Sequence, residues 1–269
     1  RDQPDGGQLS ACGQCHSLGT RIDSWQPGSQ FEDHLSLMLP NTPLYHLDGQ
    51  IDAEVFVAGS FRQSKMHDAG VVCSDCHNPH SLTLRAEGNA LCSQCHLPDH
   101  YDRPAHHGHL EHSRGAQCVN CHMPATVYMG VDARRDHRFG IPSPALSKAI
   151  GVPNACSQCH VDKSPDWLLA GMPGSTTQAD AVSLWLHQLD RGEITALPRL
   201  LDYVSTANGH RFRQARVMAA LGAQIDDPAL TELARRKLRS HDPALQRAAV
   251  EILERLPLVS PRGASSASG

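Results

Sequence analysis

The sequence predicts a mainly α protein in two parts, with little regular structure in the first part and a small α-helical repeat in the second. All ten cysteines fall before residue 161, in a segment rich in Gly, Pro, Asn and His and poor in long apolar runs. From Thr177 onward, apolar residues recur with helical periodicity and cysteine is absent. We therefore predict domains at residues 1–175 and 176–259, and a flexible Gly/Ser/Ala tail at residues 260–269.

Every cysteine belongs to a Cys-x-x-Cys-His block. The five blocks are Cys12/Cys15/His16, Cys73/Cys76/His77, Cys92/Cys95/His96, Cys118/Cys121/His122 and Cys156/Cys159/His160. This spacing is the attachment signature of c-type haem, in which two cysteines bond the porphyrin and the next residue places an imidazole under the iron. Zinc sites and disulfides are the alternatives, since Cys-x-x-Cys also binds zinc. A histidine after every pair favours haem, so we predict five covalently bound haem c groups.

The predicted haem domain has few side chains with which to build a core, so the porphyrins would supply most of it and the polypeptide would be unfolded without them. Thioether attachment needs exported haem, and we therefore expect a periplasmic or extracellular protein. The chain opens with polar residues, from which we expect a processed terminus. Because no run of 18 apolar residues occurs, we expect no transmembrane segment in the mature chain.

Elements in the first part are predicted from local pattern. Residues Gln30 to Leu39 favour a short helix or an extended apolar stretch, and Ile51 to Met66 favour a helix that runs into the second block. Each block is expected to form a helical turn that aims its two sulfurs and its imidazole at one face. The segment from Pro98 to Gly115 is predicted to be a loop.

The second part favours five helices. They are predicted at Gln178 to Asp190, Ile194 to Ser205, Arg211 to Leu221, Asp227 to Arg239 and Asp242 to Leu256. Two of them open with the same Asp-Pro-Ala-Leu phrase, at Asp227 and at Asp242. Asp suits the N-cap and Pro the first helical position. Short repeated helices of this kind are typical of HEAT or tetratricopeptide units.

Charge divides unevenly along the chain. Residues 1–177 hold 12 Lys+Arg against 18 Asp+Glu, and residues 178–269 hold 12 against 10. The haem propionates would make the first part more acidic still. This distribution argues against nucleic-acid binding, which requires a concentrated basic face. It favours contact between the basic helical part and an acidic haem surface.

The axial ligands come from the histidines. The blocks supply one proximal ligand each, at His16, His77, His96, His122 and His160. Ten further histidines precede residue 161, a surplus that suits bis-histidine ligation. The distal candidates are His80, His106, His109, His137, His67, His46 and His34. We expect Met66 and Met129 to pack in the core instead, and Arg134 and Arg135 to pair with propionates.

The run from Ala116 to Pro124, with Arg134-Arg135-Asp136-His137 and the segment Pro153 to His160, resembles a family of exported multihaem cytochromes. The segment Gly59 to His80 fits the same family. Its members join such a haem domain to C-terminal tetratricopeptide or HEAT-like repeats. The resemblance implies electron transfer.

Three functions remain open. The first is a periplasmic or extracellular carrier that meets other redox proteins. The second is the subunit of a filament built from copies of this chain, since an isolated first haem and a fifth haem at the other end would give two electron ports. The third is a nitrite- or hydroxylamine-type oxidoreductase with one open haem site, which ten spare histidines make unnecessary. We predict no catalytic residue, and we expect the helical part to fold separately as an assembly module.

Overall fold

Helices dominate the computed structural model, which describes residues 7–172, 179–206 and 209–255. The part that contains the blocks has helices α1 (Gln8–His16), α2 (Ala58–Phe61), α3 (Lys65–Asp68), α4 (Cys73–Cys76), α5 (Pro98–Tyr101), α6 (Pro104–His107), α7 (Cys118–His122), α8 (Pro144–Ile150) and α9 (Pro165–Gly171). The second part has α10 (Ala181–Asp190), α11 (Leu197–Ser205), α12 (Arg211–Gln224), α13 (Pro228–Lys237) and α14 (Pro243–Glu254). The mainly α prediction is confirmed.

Strands are short and pair only in hairpins within the described residues. They are β1 (Gly19–Arg21), β2 (Leu35–Leu37), β3 (His77–Asn78), β4 (Thr83–Leu84), β5 (Ala125–Tyr128) and β6 (Asp132–Arg135). Strands β1–β2, β3–β4 and β5–β6 form three antiparallel pairs. In the last pair Ala125 lies opposite Arg135, and Tyr128 opposite Asp132. This hairpin links the fourth block to the segment that holds His137.

The helix predicted from Ile51 to Met66 is wrong. The structure has only the single turns α2 and α3 there. Phe56 has a φ of 60°, in the left-handed region that interrupts a right-handed helix. Ser64 is extended and its hydroxyl accepts the N–H of His67, so it caps a new helix instead of continuing the old one.

Two other segments differ in part from expectation. Between Gln30 and Leu39 a 3-10 turn at Phe31–Asp33 leads into β2, which matches the extended alternative after the first turn. The predicted loop from Pro98 to Gly115 contains the one-turn helices α5 and α6 and a 3-10 turn at Arg114–Ala116. Proline at the start favours each helix because its φ is already helical, and Gly108, at φ 71°, ends the second.

The five C-terminal helices are confirmed wherever the chain is described. Residue 178 and Leu256 lie outside the described residues. The side chains of Asp227 and Asp242 each accept two backbone N–H groups of the first turn, and proline follows each. The second predicted helix begins with a 3-10 turn at Ile194–Ala196 before α11. Local capping therefore fixes where these helices start.

The main hydrophobic core joins the two predicted domains. Its buried members from the first part are Phe31, Leu35, Leu37 and Leu39, and the others lie between Val182 and Ile252. Arg62, paired with Glu32 at 2.9 Å, also lies over the Phe212 ring of α12 at 4.7 Å. The boundary at residue 175 and the tail at 260–269 lie outside the described residues. The domain division stays a prediction, but a single core spans it.

The four later blocks lie away from this core. Among the described residues, no hydrophobic side chain between 48 and 181 belongs to the main cluster or is packed against it. No described helix is long and apolar enough to cross a bilayer.

Candidate haem centres

The five blocks form short helical turns, as predicted. Three of them lie at α1, α4 and α7, and the other two in 3-10 turns at Cys92–Gln94 and Ala155–Gln158. In the fifth block Asn154 caps the turn by accepting the N–H of Ser157. The turn shortens the distance between the two sulfurs of a block and brings the following histidine alongside.

In three blocks the two cysteines differ in exposure. Cys15, Cys95 and Cys159 are exposed, whereas the first cysteine of each of these blocks is half-buried. The cause is their position at the end of the turn. Cys15 lies in the last turn of α1, and Cys95 and Cys159 are the C-caps of their 3-10 turns, where the chain departs from the turn. Their role in binding a porphyrin stays a prediction, and an exposed thiol is accessible for thioether formation.

Consecutive blocks are joined by specific contacts. Gln8, in the helix of the first block, donates to the hydroxyl of Ser74 at 2.8 Å and accepts the Ser74 N–H at 3.0 Å. Asn89 accepts the N–H of Cys118 at 3.0 Å, which ties the third block's segment to the fourth. Gln158 donates to the carbonyl of Ala125 at 2.9 Å, between the fifth block and the strand after the fourth.

These contacts correct the expectation of an isolated first haem. The long insert between the first two blocks folds back, so that α1 lies against α4. The second and third blocks are also close, since Cys95 acts with burial and Asp75 to raise the pKa of Cys76. Cys92 and Cys118 share a hydrogen bond that raises the pKa of Cys92 and lowers that of Cys118 to about 7.

Three proximal histidines each face a second imidazole. Ring centroids are 6.3 Å apart for His77 and His137, and the ring planes differ by 24°. The pair His122 and His106 is separated by 6.2 Å with an angle of 16°. The pair His160 and His109 is separated by 6.0 Å with an angle of 31°. Two imidazoles bound to one metal ion through bonds of roughly 2 Å have centroids about 6 Å apart, so all three spacings fit axial pairs.

Backbone carbonyls fix the tautomers of these rings. The Nδ1 of His137 lies 3.0 Å from the carbonyl of Arg135, and the Nδ1 of His122 lies 2.9 Å from that of Gly140. The Nδ1 of His109 lies 2.5 Å from the carbonyl of His107. Because a carbonyl only accepts, each Nδ1 carries the proton and Nε2 keeps a lone pair for a metal.

Burial also favours the ligating form of two of these histidines. It lowers the pKa of His137, with a further contribution from His77 and a smaller one from His16. The pKa of His106 is lowered by burial first and by His122 second. A neutral imidazole at ordinary pH is the form that binds iron.

The histidine cluster upstream of the fourth block is sorted by geometry. His106 and His109 face proximal rings, whereas His107 accepts the backbone N–H of His109 at its Nδ1, at 3.1 Å. That bond leaves the proton of His107 on Nε2, and it ties His107 to the backbone of His109. His112 is exposed and has a φ of 60°.

The remaining distal candidates lie elsewhere. His80 is exposed, with its backbone N–H on the Asn78 side chain. The Nε2 of His46 lies 3.4 Å from Asp52. His67 packs edge-on against Phe61, and His34 has a buried Nδ1 that makes no hydrogen bond. Among the described residues none of these four rings lies against His16 or His96 as an axial partner would, and their roles stay predictions.

Both predicted propionate partners are engaged by the protein. Arg134 pairs with Glu54 at 2.5 Å and with Asp132 at 2.6 Å. Arg135 donates to the carbonyls of Val119 and Met123 at 3.1 and 3.0 Å. These arginines hold the β5–β6 hairpin against the fourth block and the segment before the second.

Apolar side chains around the blocks remain uncovered by protein. The large exposed ones there include Leu82, Leu84, Leu97, Leu110, Val127, Val131 and Val161. Exposed apolar surface of this extent marks a site for an apolar partner. Free thiols beside such surface, with paired imidazoles, fit covalently attached porphyrins.

Sequence reasoning missed two aromatic residues that contact these histidines. The Tyr101 ring meets the rings of His96 and His106 edge-on, with centroids 5.5 and 5.4 Å apart. The ring centroids of Trp167 and His160 are 5.2 Å apart. It also missed the hydrogen bonds through which Gln8 and Asn89 join consecutive blocks. Only the position of these residues within a few residues of a block could have indicated them.

Comparisons with known proteins place two family models on the chain. A model described as Cytochrome c552 matches residues 100–188, and one for a doubled CXXCH motif matches residues 67–100. Among solved structures the chain is similar to the crystal structure of the outer cell wall cytochrome OcwA, with 16% identity and a TM-score of 0.43. The alignment covers 90% of this chain and 64% of that one. No curated protein matches.

Proposed function

We propose that this chain, a multihaem c-type cytochrome that transfers electrons, carries them along five closely spaced and mainly bis-histidine haems. The observation that carries the proposal is the set of three imidazole pairs with centroids 6.0 to 6.3 Å apart. Each pair joins a block histidine to one from outside the blocks. Bis-histidine coordination leaves no open position on the iron, which suits electron transfer better than chemistry on a bound substrate.

The side chains have separate tasks in this proposal. Each block anchors one porphyrin through its two cysteines and supplies the proximal imidazole. His137, His106 and His109 complete the second, fourth and fifth centres, and backbone carbonyls hold two of these rings in the ligating tautomer. When bound, haem supplies a one-electron redox centre whose potential depends on its axial ligands and surroundings.

The first and third centres need distal ligands from the remaining candidates. We propose that these two ligands come from His80, His67, His46 and His34, all of which lie in the first part of the chain. His80 is the first choice for one of them, because it is exposed and follows the second block by three residues, a spacing that suits ligation of a neighbouring haem.

The physiological setting is an exported carrier or the subunit of a conducting filament. Thioether attachment of exported haem supports the exported location. The contacts between successive blocks support a continuous series of centres, and the acidic first part beside a basic second part suits head-to-tail contact. Electron microscopy of purified protein distinguishes the two, since only the filament gives regular polymers.

An oxidoreductase of the nitrite or hydroxylamine type is the second candidate. The observation that favours it is that, within the described part of the chain, no imidazole faces His16 or His96 as it does the other three proximal rings. An open iron at either centre would bind a small ligand.

The deciding experiment measures cofactor and spin state together. Intact mass and a pyridine haemochrome assay should report five c-type haems on the 29.2 kDa chain. Electron paramagnetic resonance should show low-spin ferric haem only, and carbon monoxide should bind to less than a tenth of the ferrous protein. Fewer haems would refute the count, and stoichiometric binding of carbon monoxide or nitrite would favour the oxidoreductase.

A further inference from the structure

Arg216 is the one arginine of α12 whose side chain is buried in full, at 3% exposure. It makes no ion pair within the described residues, and its Nη1 is buried without a hydrogen-bond partner. Its Nη2 donates to the carbonyls of Leu47 and His46. Burial lowers its pKa to about 10, so the guanidinium keeps its charge at neutral pH. A buried charge without a carboxylate at ion-pair distance is costly, and the more distant Asp48 and Asp180 offset only part of the effect of burial on its pKa.

The loop that Arg216 holds leads to a proposed iron ligand. Asp48, next to Leu47, accepts from Arg138 twice, through its carbonyl at 2.9 Å and its carboxylate at 3.4 Å. The backbone N–H of Arg138 in turn donates to the buried Asp136 at 2.8 Å. His137 lies between Asp136 and Arg138, so both neighbours of the ligand are fixed by this network.

The loop is built for close approach. Gly49 has a φ of 90°, and a Cβ there would lie 2.2 Å from Oε1 of Gln63 and 3.5 Å from the Arg216 guanidinium. A side chain at residue 49 would displace Gln63, which donates to the Gly49 carbonyl. The Arg216 guanidinium is at van der Waals distance from the same position, so α12 contacts the loop as well as donating hydrogen bonds to it.

We infer that Arg216 is a positioning residue through which the helical part of the chain holds His137 and sets the potential of the haem between His77 and His137. The inference rests on the proposed function, because it takes His137 as an iron ligand. A fixed positive charge in a low-dielectric interior stabilises the reduced, less positive state of a nearby iron. The hydrogen-bonded loop adds a fixed orientation of the ligand.

The test is a potentiometric titration of the full chain, resolved haem by haem, for the wild type and Arg216→Met. Methionine keeps the length and apolar bulk of the side chain while removing the charge. One of the five reduction potentials should fall by about 59 mV. For a one-electron couple this corresponds to a tenfold decrease in the reduction equilibrium constant. The affected haem should be the one that becomes high-spin in His137→Ala. Arg216→Lys should recover part of the shift.

Arg211→Met is the matched control, because Arg211 lies on the same helix and is exposed; it should leave all five potentials unchanged. If Arg216→Met does not fold, Arg138→Met tests the same network from the partly exposed side and should lower the same potential. Five unchanged potentials in folded variants, or an equal shift of all five, would overturn the inference. A wild type without five low-spin haems would instead overturn the proposed function.

Discussion

Neighbouring histidines of one short segment have different surroundings in this protein. His106 and His109 each face a block histidine, and His107 accepts the N–H that orients His109. Spacing in the sequence does not distinguish them, because a one-turn helix ending at Gly108 turns each ring in a different direction. Only the positions of His122 and His160 in three dimensions show which of these histidines face a block histidine.

Replacing His109 by alanine should open one iron. We expect a high-spin signal from one haem in five and binding of about one equivalent of carbon monoxide, because the Nε2 that completes the fifth centre is lost. His112→Ala is the control and should stay low-spin throughout. A low-spin His109→Ala protein would show that another side chain serves the iron at His160.

The ion pair of Asp180 with Arg213 makes stability depend on pH. Burial raises the pKa of Asp180, but Arg213 and the hydrogen bonds of Ser183 outweigh it and the net pKa is lowered. A lowered carboxyl pKa adds stability that is present above the unfolded pKa and lost as pH falls through the folded one. Asp180→Asn keeps a capping side chain and should cost about 0.5–1 kcal/mol at pH 7, because the pair is partly exposed.

Denaturant titrations at pH 7 and near pH 3 measure this difference. The difference between the variant and the wild type should shrink as the pH falls through the lowered pKa of Asp180, because the wild-type carboxyl then becomes protonated as well. A difference that persists unchanged in acid would assign the effect to capping rather than to charge.

At the scale of elements, the sequence predicts helices well where caps are local and poorly where tertiary contacts decide. The Asp-Pro starts of α13 and α14 are encoded in adjacent residues, and the structure shows both caps. The segment Ile51 to Met66 has helical composition, yet Phe56 takes a left-handed conformation next to the bridge with Ser17. That bridge joins residues far apart in sequence, and no local pattern encodes it.

Removing the cap of α14 should weaken the C-terminal helices. Asp242→Ala leaves two N–H groups of the first turn without their partner, and the expected cost is about 1 kcal/mol of unfolding free energy. Glu254→Ala, at the exposed end of the same helix, is the control and should change stability little. Circular dichroism during denaturant unfolding measures both, and equal losses would show that the cap is not the cause.

At the scale of the whole molecule, composition suggested two domains and the structure shows a core that crosses the predicted boundary. Composition could not reveal this, because Phe31 and Leu35 have enough apolar neighbours in sequence to suggest a small core of their own. Their partners lie more than 140 residues further on. The sequence predicts those helices correctly, but it does not predict that they pack against the first part of the chain.

Truncation near residue 175 should therefore damage the first part of the chain. It would expose Phe31, Leu35, Leu37 and Leu39, whose loss of burial costs roughly 1.5–3 kcal/mol for each large side chain. We expect lower soluble yield and fewer haems for each chain than in the full-length protein, measured by intact mass. Deleting residues 260–269 is the control. A soluble truncated protein with all five haems would show that the haem domain folds alone.

The separation between the main core and the four later blocks bears on how the protein matures. Leucines and valines around these blocks are exposed where no porphyrin covers them, so a chain that has missed one attachment would present this apolar surface to solvent. Such a local region opens readily and is accessible to proteases. We therefore expect limited proteolysis to cleave incompletely loaded chains around the blocks faster than fully loaded ones.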